Sequence, residues 1–239
     1  MPGSILLVFA HPDDESSSAA GTTAKYTQSG VPVDLICATG GEKGTRLDVP
    51  LDVNTATARE AGLRIASGII GIRNIYLLGY VDGELGKADT REIADRLIDI
   101  MKKVRPEVVI TFGPDGISGH PDHIAIGSAT TFAFDMLTER GEGPRKLYYV
   151  TIPESAINEV NDQDIDGVIT RPDDEVTTII DISGYLDIKI LALEAHSSQQ
   201  DARWLANMFR QASETGWANS EFFYLARPMK PDKEGDIFE

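Results

Sequence analysis

Four apolar runs, each handed on to a helical pattern, constrain this chain more than any other feature. The runs are "SILLVFA" (4–10), "VPVDLICATGG" (31–41), "NIYLL" (74–78) and "EVVITFG" (107–113). The helical patterns that follow them cover 17–30, 55–72, 90–106 and 123–137. Near-continuous apolar strands are the mark of a sheet buried on both faces, and strand–helix alternation makes such a sheet parallel. Right-handed crossovers then place the helices. The expected fold is Rossmann-like α/β, a mostly parallel sheet with helices on both faces, in one domain over 1–239. "KLYYVTI" (146–152) supplies a fifth strand, and strand character returns in "EVTTIIDIS" (175–183). Segments 185–199 and 201–214 read as helices packing the end of the sheet. Gly30 reads as a helix stop and Thr90 as an N-cap. Ile93, Leu97, Ile100, Met101 and Val104 form an apolar stripe. The acidic stretch from Glu154 to Glu175, with Asp162, Asp164, Asp166, Asp173 and Asp174, reads as a solvated excursion. The polar tail 230–239 is expected over the surface.

Charge narrows the function classes. Lys and Arg number 22 against 38 Asp and Glu, a net charge of −16. Such a surface repels phosphate backbones and anionic headgroups, so neither nucleic acid nor membrane is an expected partner. An anionic substrate stays admissible where a metal or arginine reverses the field locally. No apolar stretch approaches the roughly 20 residues of a membrane helix. No basic segment precedes the first apolar run, so that run does not read as a signal peptide. The single cysteine, Cys37, reads as a buried hydrophobe, and a cytoplasmic location is expected. A homo-oligomer is compatible with this composition.

The polar clusters fall at the C-terminal ends of the strands: "HPDDE" (11–15), "TGGEKGT" (39–45), "YVDGE" (80–84) and "GPDGISGHPDH" (113–123). Ligands of open parallel sheets bind at that edge. His11 and Asp14 are separated by two residues, His120 and His123 repeat the spacing, and both segments contain the text "HPD". Imidazoles with a carboxylate commonly hold a divalent ion and leave a position open for water. Capping alone explains one aspartate after a strand; it does not explain three carboxylates with histidines beside them. If Asp14 binds the ion, Asp13 leaves the backbone in another direction and is the natural general base. The histidine of the second segment that does not bind metal can donate a proton or stabilise an oxyanion. Spacing does not decide between His120 and His123. The loop with Gly40, Gly41 and Gly44 lacks the dinucleotide and P-loop spacings, and reads as a tight turn beside the site. His196 reads as a buried partner, and Arg203 and Trp204 as surface packing.

"AHPDDE" (10–15), "ATGGEKGT" (38–45), "GPDGISGHPDH" (113–123) and "LEAHSSQ" (193–199) together resemble the PIG-L/LmbE family of zinc-dependent N-deacetylases. The resemblance implies hydrolysis of an acetamide on an N-acetylglucosaminyl conjugate, a small-molecule substrate. It maps His11, Asp14 and His123 to the zinc ligands, Asp13 to the general base, and His120 to oxyanion stabilisation or leaving-group protonation. It puts Glu42 at the site, Arg59 in substrate contact and Asp82 near the sugar. One departure stands out: the family often carries Arg-x-x-Glu where this chain has Arg59-Glu60-Ala61-Gly62. Fe²⁺ or another divalent ion of similar preference would suit the same donors as Zn²⁺. An amidase acting on another amide of a sugar-thiol conjugate is the near alternative. A Mg²⁺-dependent phosphoryl-transfer domain would leave the histidines idle, since magnesium prefers oxygen. A non-catalytic carbohydrate- or nucleotide-binding module would be indifferent to Asp13→Asn.

Overall fold

A computed structural model describes residues 3–158, 167–214, 216–229 and 233–239. Asp162, Asp164 and Asp166 of the acidic stretch and the first residues of the tail lie outside them. In chain order the elements are β1 (Ile5–Phe9), α1 (Asp14–Gln28), β2 (Val33–Thr39), α2 (Thr55–Ile70), β3 (Asn74–Tyr80), α3 (Thr90–Val104), β4 (Val108–Phe112) and the short α4 (Gly116–Gly119). Then come α5 (Pro121–Glu139), β5 (Lys146–Thr151), α6 (Glu154–Asn158), β6 (Thr178–Asp181), α7 (Leu186–Ala195), α8 (Gln200–Gln211) and β7 (Ser220–Arg227). The strands form one seven-stranded sheet in the order β3-β2-β1-β4-β5-β7-β6. The α/β expectation holds. The order runs outward in both directions from the neighbours β1 and β4, which makes their C-terminal ends the topological switch point.

By contacts the chain divides into two compact units: residues 1–8, 84–180 and 222–239, and residues 9–83 and 181–221. In the first, β1 pairs β4 in parallel with Ile5 opposite Val108, and β4 pairs β5 in parallel. Every residue of β4 and β5 is buried, as the continuous apolar runs require. The sequence reading missed β7, which pairs β5 antiparallel, Tyr149 opposite Tyr224. Its text "SEFFYLAR" alternates between buried and half-buried positions, the period of a strand with one face outward. Two expectations in this unit need correction. The N-cap of α3 is Asp89, whose carboxylate accepts from Arg91 N at 2.8 Å; Thr90 is the first helical residue. The described part of the tail is anchored rather than draped: Glu234 takes Lys146 Nζ at 2.7 Å and the Tyr148 hydroxyl, and Ile237 is fully buried.

In the second unit β2 pairs β3 in parallel, Leu35 opposite Ile75. Ala20, Ala66, Ile70 and Ala192 pack α1, α2 and α7 through small side chains. Leu186, Ile190, Leu193, Ala206 and Phe209 join α7 to α8. Helix α1 kinks at Ala19, where φ reaches −148°. The Glu221 carboxylate takes up the Gly21 and Thr22 N–H groups just beyond the kink and is neutralised by Lys189 at 2.6 Å. A buried carboxylate is tolerated only with such partners. Among the described residues no helix is long and apolar enough to cross a membrane.

Candidate active site

The segment after β1 is built from its backbone outward. The strand ends in buried Phe9 and Ala10 and turns at Asp13, whose φ of 110° and ψ of −21° are unusual for a non-glycine residue. Such a conformation costs about 1–3 kcal/mol and persists only where its surroundings impose it. The turn folds Asp14 back on the strand end: its Oδ2 accepts Ala10 N at 3.0 Å and His11 N at 2.8 Å. The same oxygen stands 3.6 Å from His11 Nδ1. The other ring nitrogen of His11, Nε2, is 3.1 Å from Asp82 Oδ1. A carboxylate only accepts, so Nε2 carries the proton and Nδ1 presents its lone pair beside Asp14. Two donors bound to one tetrahedral ion at about 2.0–2.2 Å stand roughly 3.4 Å apart. The His11–Asp14 pair fits that requirement in type and in spacing.

Asp82, expected beside the sugar, is 5% exposed and engaged by the protein. Besides His11, it accepts Lys43 N at 2.8 Å. Burial alone would raise its pKa, but the His11 and Lys43 hydrogen bonds prevail and hold it down to about 2. Glu42, half-buried, accepts Asp82 N at 3.0 Å and so ties the glycine-rich loop to this carboxylate. Arg59, expected against substrate, is buried too. It donates to Gly41 O at 2.9 Å, to Pro12 O, and to Asp13 Oδ2 at 2.9 Å. A Cβ on Gly41, whose φ is 64°, would fall within 2.4 Å of this guanidinium. The glycine loop therefore packs on an arginine, not on a phosphate.

Asp13 keeps about a fifth of its side chain open to solvent, 21%. Burial raises its carboxyl pKa to about 6, Arg59 pulling down and the neighbouring Asp14 pushing up. Glu15, the third carboxylate of the run, is wholly buried. Its Oε2 accepts Asp13 N at 3.0 Å and its Oε1 lies 2.7 Å from His196 Nε2. Burial opposes the imidazolium of His196, yet the adjacent Glu15 carboxylate raises its pKa. The glycine at 62, in place of the family's glutamate, has its own reason. A Cβ there would meet Ala195 O at 2.9 Å and His196 Nδ1 at 3.3 Å. Glu60 does not replace the missing carboxylate; it is half-buried and pairs with Arg64.

The segment after β4 is wired differently. His120 caps α5, its Nδ1 accepting Asp122 N at 3.2 Å. An accepting Nδ1 has no proton, so the neutral ring carries its proton on Nε2. His123 has the opposite tautomer: its Nδ1 lies 3.0 Å from Gly116 O, which can only accept, so its lone pair is on Nε2. The His123 ring stacks on Phe112 with centroids 4.0 Å apart, which fixes its plane. The two imidazoles are half-buried neighbours, centroids 4.9 Å apart. Asp122 is fully buried and accepts Leu85 N at 3.1 Å.

Each segment thus carries side chains of the types that ligate metal ions, imidazole and carboxylate. Imidazole and carboxylate side chains at the C-terminal ends of parallel strands are the equipment of one class, metal-dependent hydrolases built on an α/β sheet. Comparison with known proteins makes this specific. Residues 6–134 match the family described as PIG-L, GlcNAc-PI de-N-acetylase. A 1D-myo-inositol 2-acetamido-2-deoxy-alpha-D-glucopyranoside deacetylase of Acidothermus cellulolyticus is 38% identical over 237 residues, 83% of this chain and 80% of that protein. A deacetylase of the same description from Saccharomonospora viridis is 32% identical over 98% of this chain and 99% of its own. Among solved structures, the N,N'-diacetylchitobiose deacetylase of Pyrococcus horikoshii superposes with a TM-score of 0.69 at 22% identity, covering 93% of this chain and 83% of that one; this likeness is one of fold. The chain belongs to the PIG-L family of de-N-acetylases, and it is an N-deacetylase, a hydrolase.

Proposed function

We propose that the chain hydrolyses the acetamide of an N-acetylglucosaminyl conjugate, with an inositol aglycone like that in the relatives' name, and that Zn²⁺ completes the site. The products are the free amine and acetate. His11 and Asp14 after β1 and His123 after β4 are the ligands in this reading. When bound, the ion supplies a Lewis acid and acidifies a water. Asp13 takes the proton of the attacking water. Solvent access and an ionisation near neutrality suit it to that task, and Arg59 aims its carboxylate. His120 directs its Nε2–H at the developing oxyanion, and the proton that Asp13 has taken from the water passes to the departing amine. Asp82 orients His11 from behind, Glu42 braces Asp82, and Arg59 braces Asp13. The charge of −16 suits a cytoplasmic enzyme acting on a dissolved, small substrate.

The observation that supports this division of roles is that His120 Nδ1 accepts Asp122 N while His123 Nδ1 faces Gly116 O, which suits the first imidazole to donate through Nε2 and the second to ligate through it. The test is acetate release from a panel of N-acetylglucosaminyl conjugates, the inositol glucosaminide among them, with chelated and zinc-restored protein. Turnover is expected on the inositol conjugate, lost on chelation and restored by zinc. Turnover sustained by magnesium alone, or confined to an amide other than the acetamide, would overturn the reading.

A further inference from the structure

The strained turn at Asp13 is held from two directions. From α2, Arg59 donates to Pro12 O and to the Asp13 carboxylate. From α1, Glu15 folds back so that its Oε2 accepts the Asp13 N–H at 3.0 Å. The other oxygen of Glu15 accepts from Ser16 Oγ at 2.6 Å and from His196 Nε2 at 2.7 Å. Glu15 is 0% exposed and His196 1%. A carboxylate so deeply buried needs strong hydrogen-bond donors, and His196 Nε2 is one of them. Room for the imidazole exists because residue 62 is glycine: a Cβ would press on Ala195 O at 2.9 Å and on the ring itself. Arg59 and Gly62 are three apart on α2, one helical turn. One helix therefore supplies both the guanidinium and the gap.

We propose that Glu15 and His196 form a positioning pair which, together with Arg59, holds Asp13 in the backbone conformation from which it serves as the base. The inference rests on the reading of Asp13 as that base. Its physical content is a division of anchors. Asp14 is fixed by Ala10 N and His11 N, and His11 by Asp82, so the ligand side of the turn does not depend on His196. The Asp13 N–H does, through Glu15. Losing His196 lets Glu15 turn away, releases that N–H, and allows Asp13 to relax toward an ordinary conformation with its carboxylate displaced.

The test is a series at position 196 in zinc-loaded protein, with kcat, KM and zinc affinity measured for each variant. His196→Ala removes the donor, Asn is too short to reach Glu15, and Gln places an N–H near the position of Nε2. Misplacement of a reacting group by about 1 Å costs on the order of a hundredfold. His196→Ala and His196→Asn are expected to lose about ten- to a hundredfold in kcat, with KM and zinc affinity held within about threefold. His196→Gln is expected to recover most of the rate. If the Ala variant does not fold, the Asn and Gln pair decides. Wild-type kcat in the Asn variant, or parallel losses in kcat, KM and zinc affinity, overturns the inference. Asp13→Asn is measured alongside. If it turns over at the wild-type rate, the reading of the base fails; if it is inactive while the Asn variant at 196 keeps the wild-type kcat, only the positioning pair fails.

Discussion

The text His-Pro-Asp occurs twice, at 11–13 and at 120–122, and the two copies are put to different uses. In the first, the histidine is bound through Nε2 to a carboxylate and offers Nδ1, while the aspartate sits at φ 110° with its carboxylate on an arginine. In the second, the histidine spends Nδ1 on capping α5, and the aspartate is buried on the N–H of Leu85. Identical residues differ because their partners differ: carboxylate and guanidinium groups around the first copy, backbone amides around the second. A histidine's chemistry is set by what holds its other nitrogen, and sequence spacing does not show that atom.

Substitution at matched positions tests the comparison. The largest contrast is expected between His11→Ala and His120→Ala. The first should lose bound zinc and with it all but background turnover. The second should keep its zinc and lose about 10²–10³ in kcat, as for removal of one oxyanion donor. Zinc content per protein separates them; loss of the metal from both would erase the distinction. At the aspartates, Asp13→Asn should lower kcat by about 10²–10⁴ without destabilising the fold. Asp122→Ala should keep zinc but lower the unfolding free energy by about 1–3 kcal/mol, because the buried Leu85 N–H is orphaned. Denaturant titration of the two variants provides the check.

Asp82→Asn sharpens the account of the first copy. The amide no longer holds the His11 Nε2 proton as a charge does, and zinc affinity should fall by about 10–100-fold, read by chelator competition. The smallest effect concerns pH. In the metal-free protein Asp13 has a folded pKa of about 6, above the 3.8 of an ordinary aspartate. Between those values the folded state binds more protons than the unfolded one, so stability falls as pH rises through the window. The contribution is about 1–3 kcal/mol, present below pH 4 and lost above pH 6. Asp13→Asn should lack this slope, so its stability relative to wild type should rise across that interval. A pH-independent difference in unfolding midpoint would contradict the shift.

Much of the fold was legible because burial on both faces writes itself as continuous apolar runs. The parallel strands in 4–10, 31–41, 107–113 and 146–152 formed and are buried, and 74–78 formed as an edge strand in which Leu78 alone is buried. Strand β7 went unread although "SEFFYLAR" alternates clearly: it follows two helices, and nothing local says that the chain re-enters the sheet antiparallel beside β5. The tail read as polar because Glu234 is charged; its buried partner Lys146 is 88 residues away. Asp89 rather than Thr90 caps α3, a choice between adjacent capping residues that local preference leaves open.

At the site, the sequence by itself determined the residue types, their order at the ends of β1 and β4, and the family to which they belong. Those follow from local composition and from the rule that parallel sheets gather ligands at one edge. Only the tertiary structure decided which atom of each side chain is engaged. Asp82 and Arg59 turned inward to His11 and Asp13, and Glu15 met His196 from 181 positions away. Such pairings are made by elements distant in the chain, and their energies come from burial and directional hydrogen bonds, which no spacing along the sequence encodes.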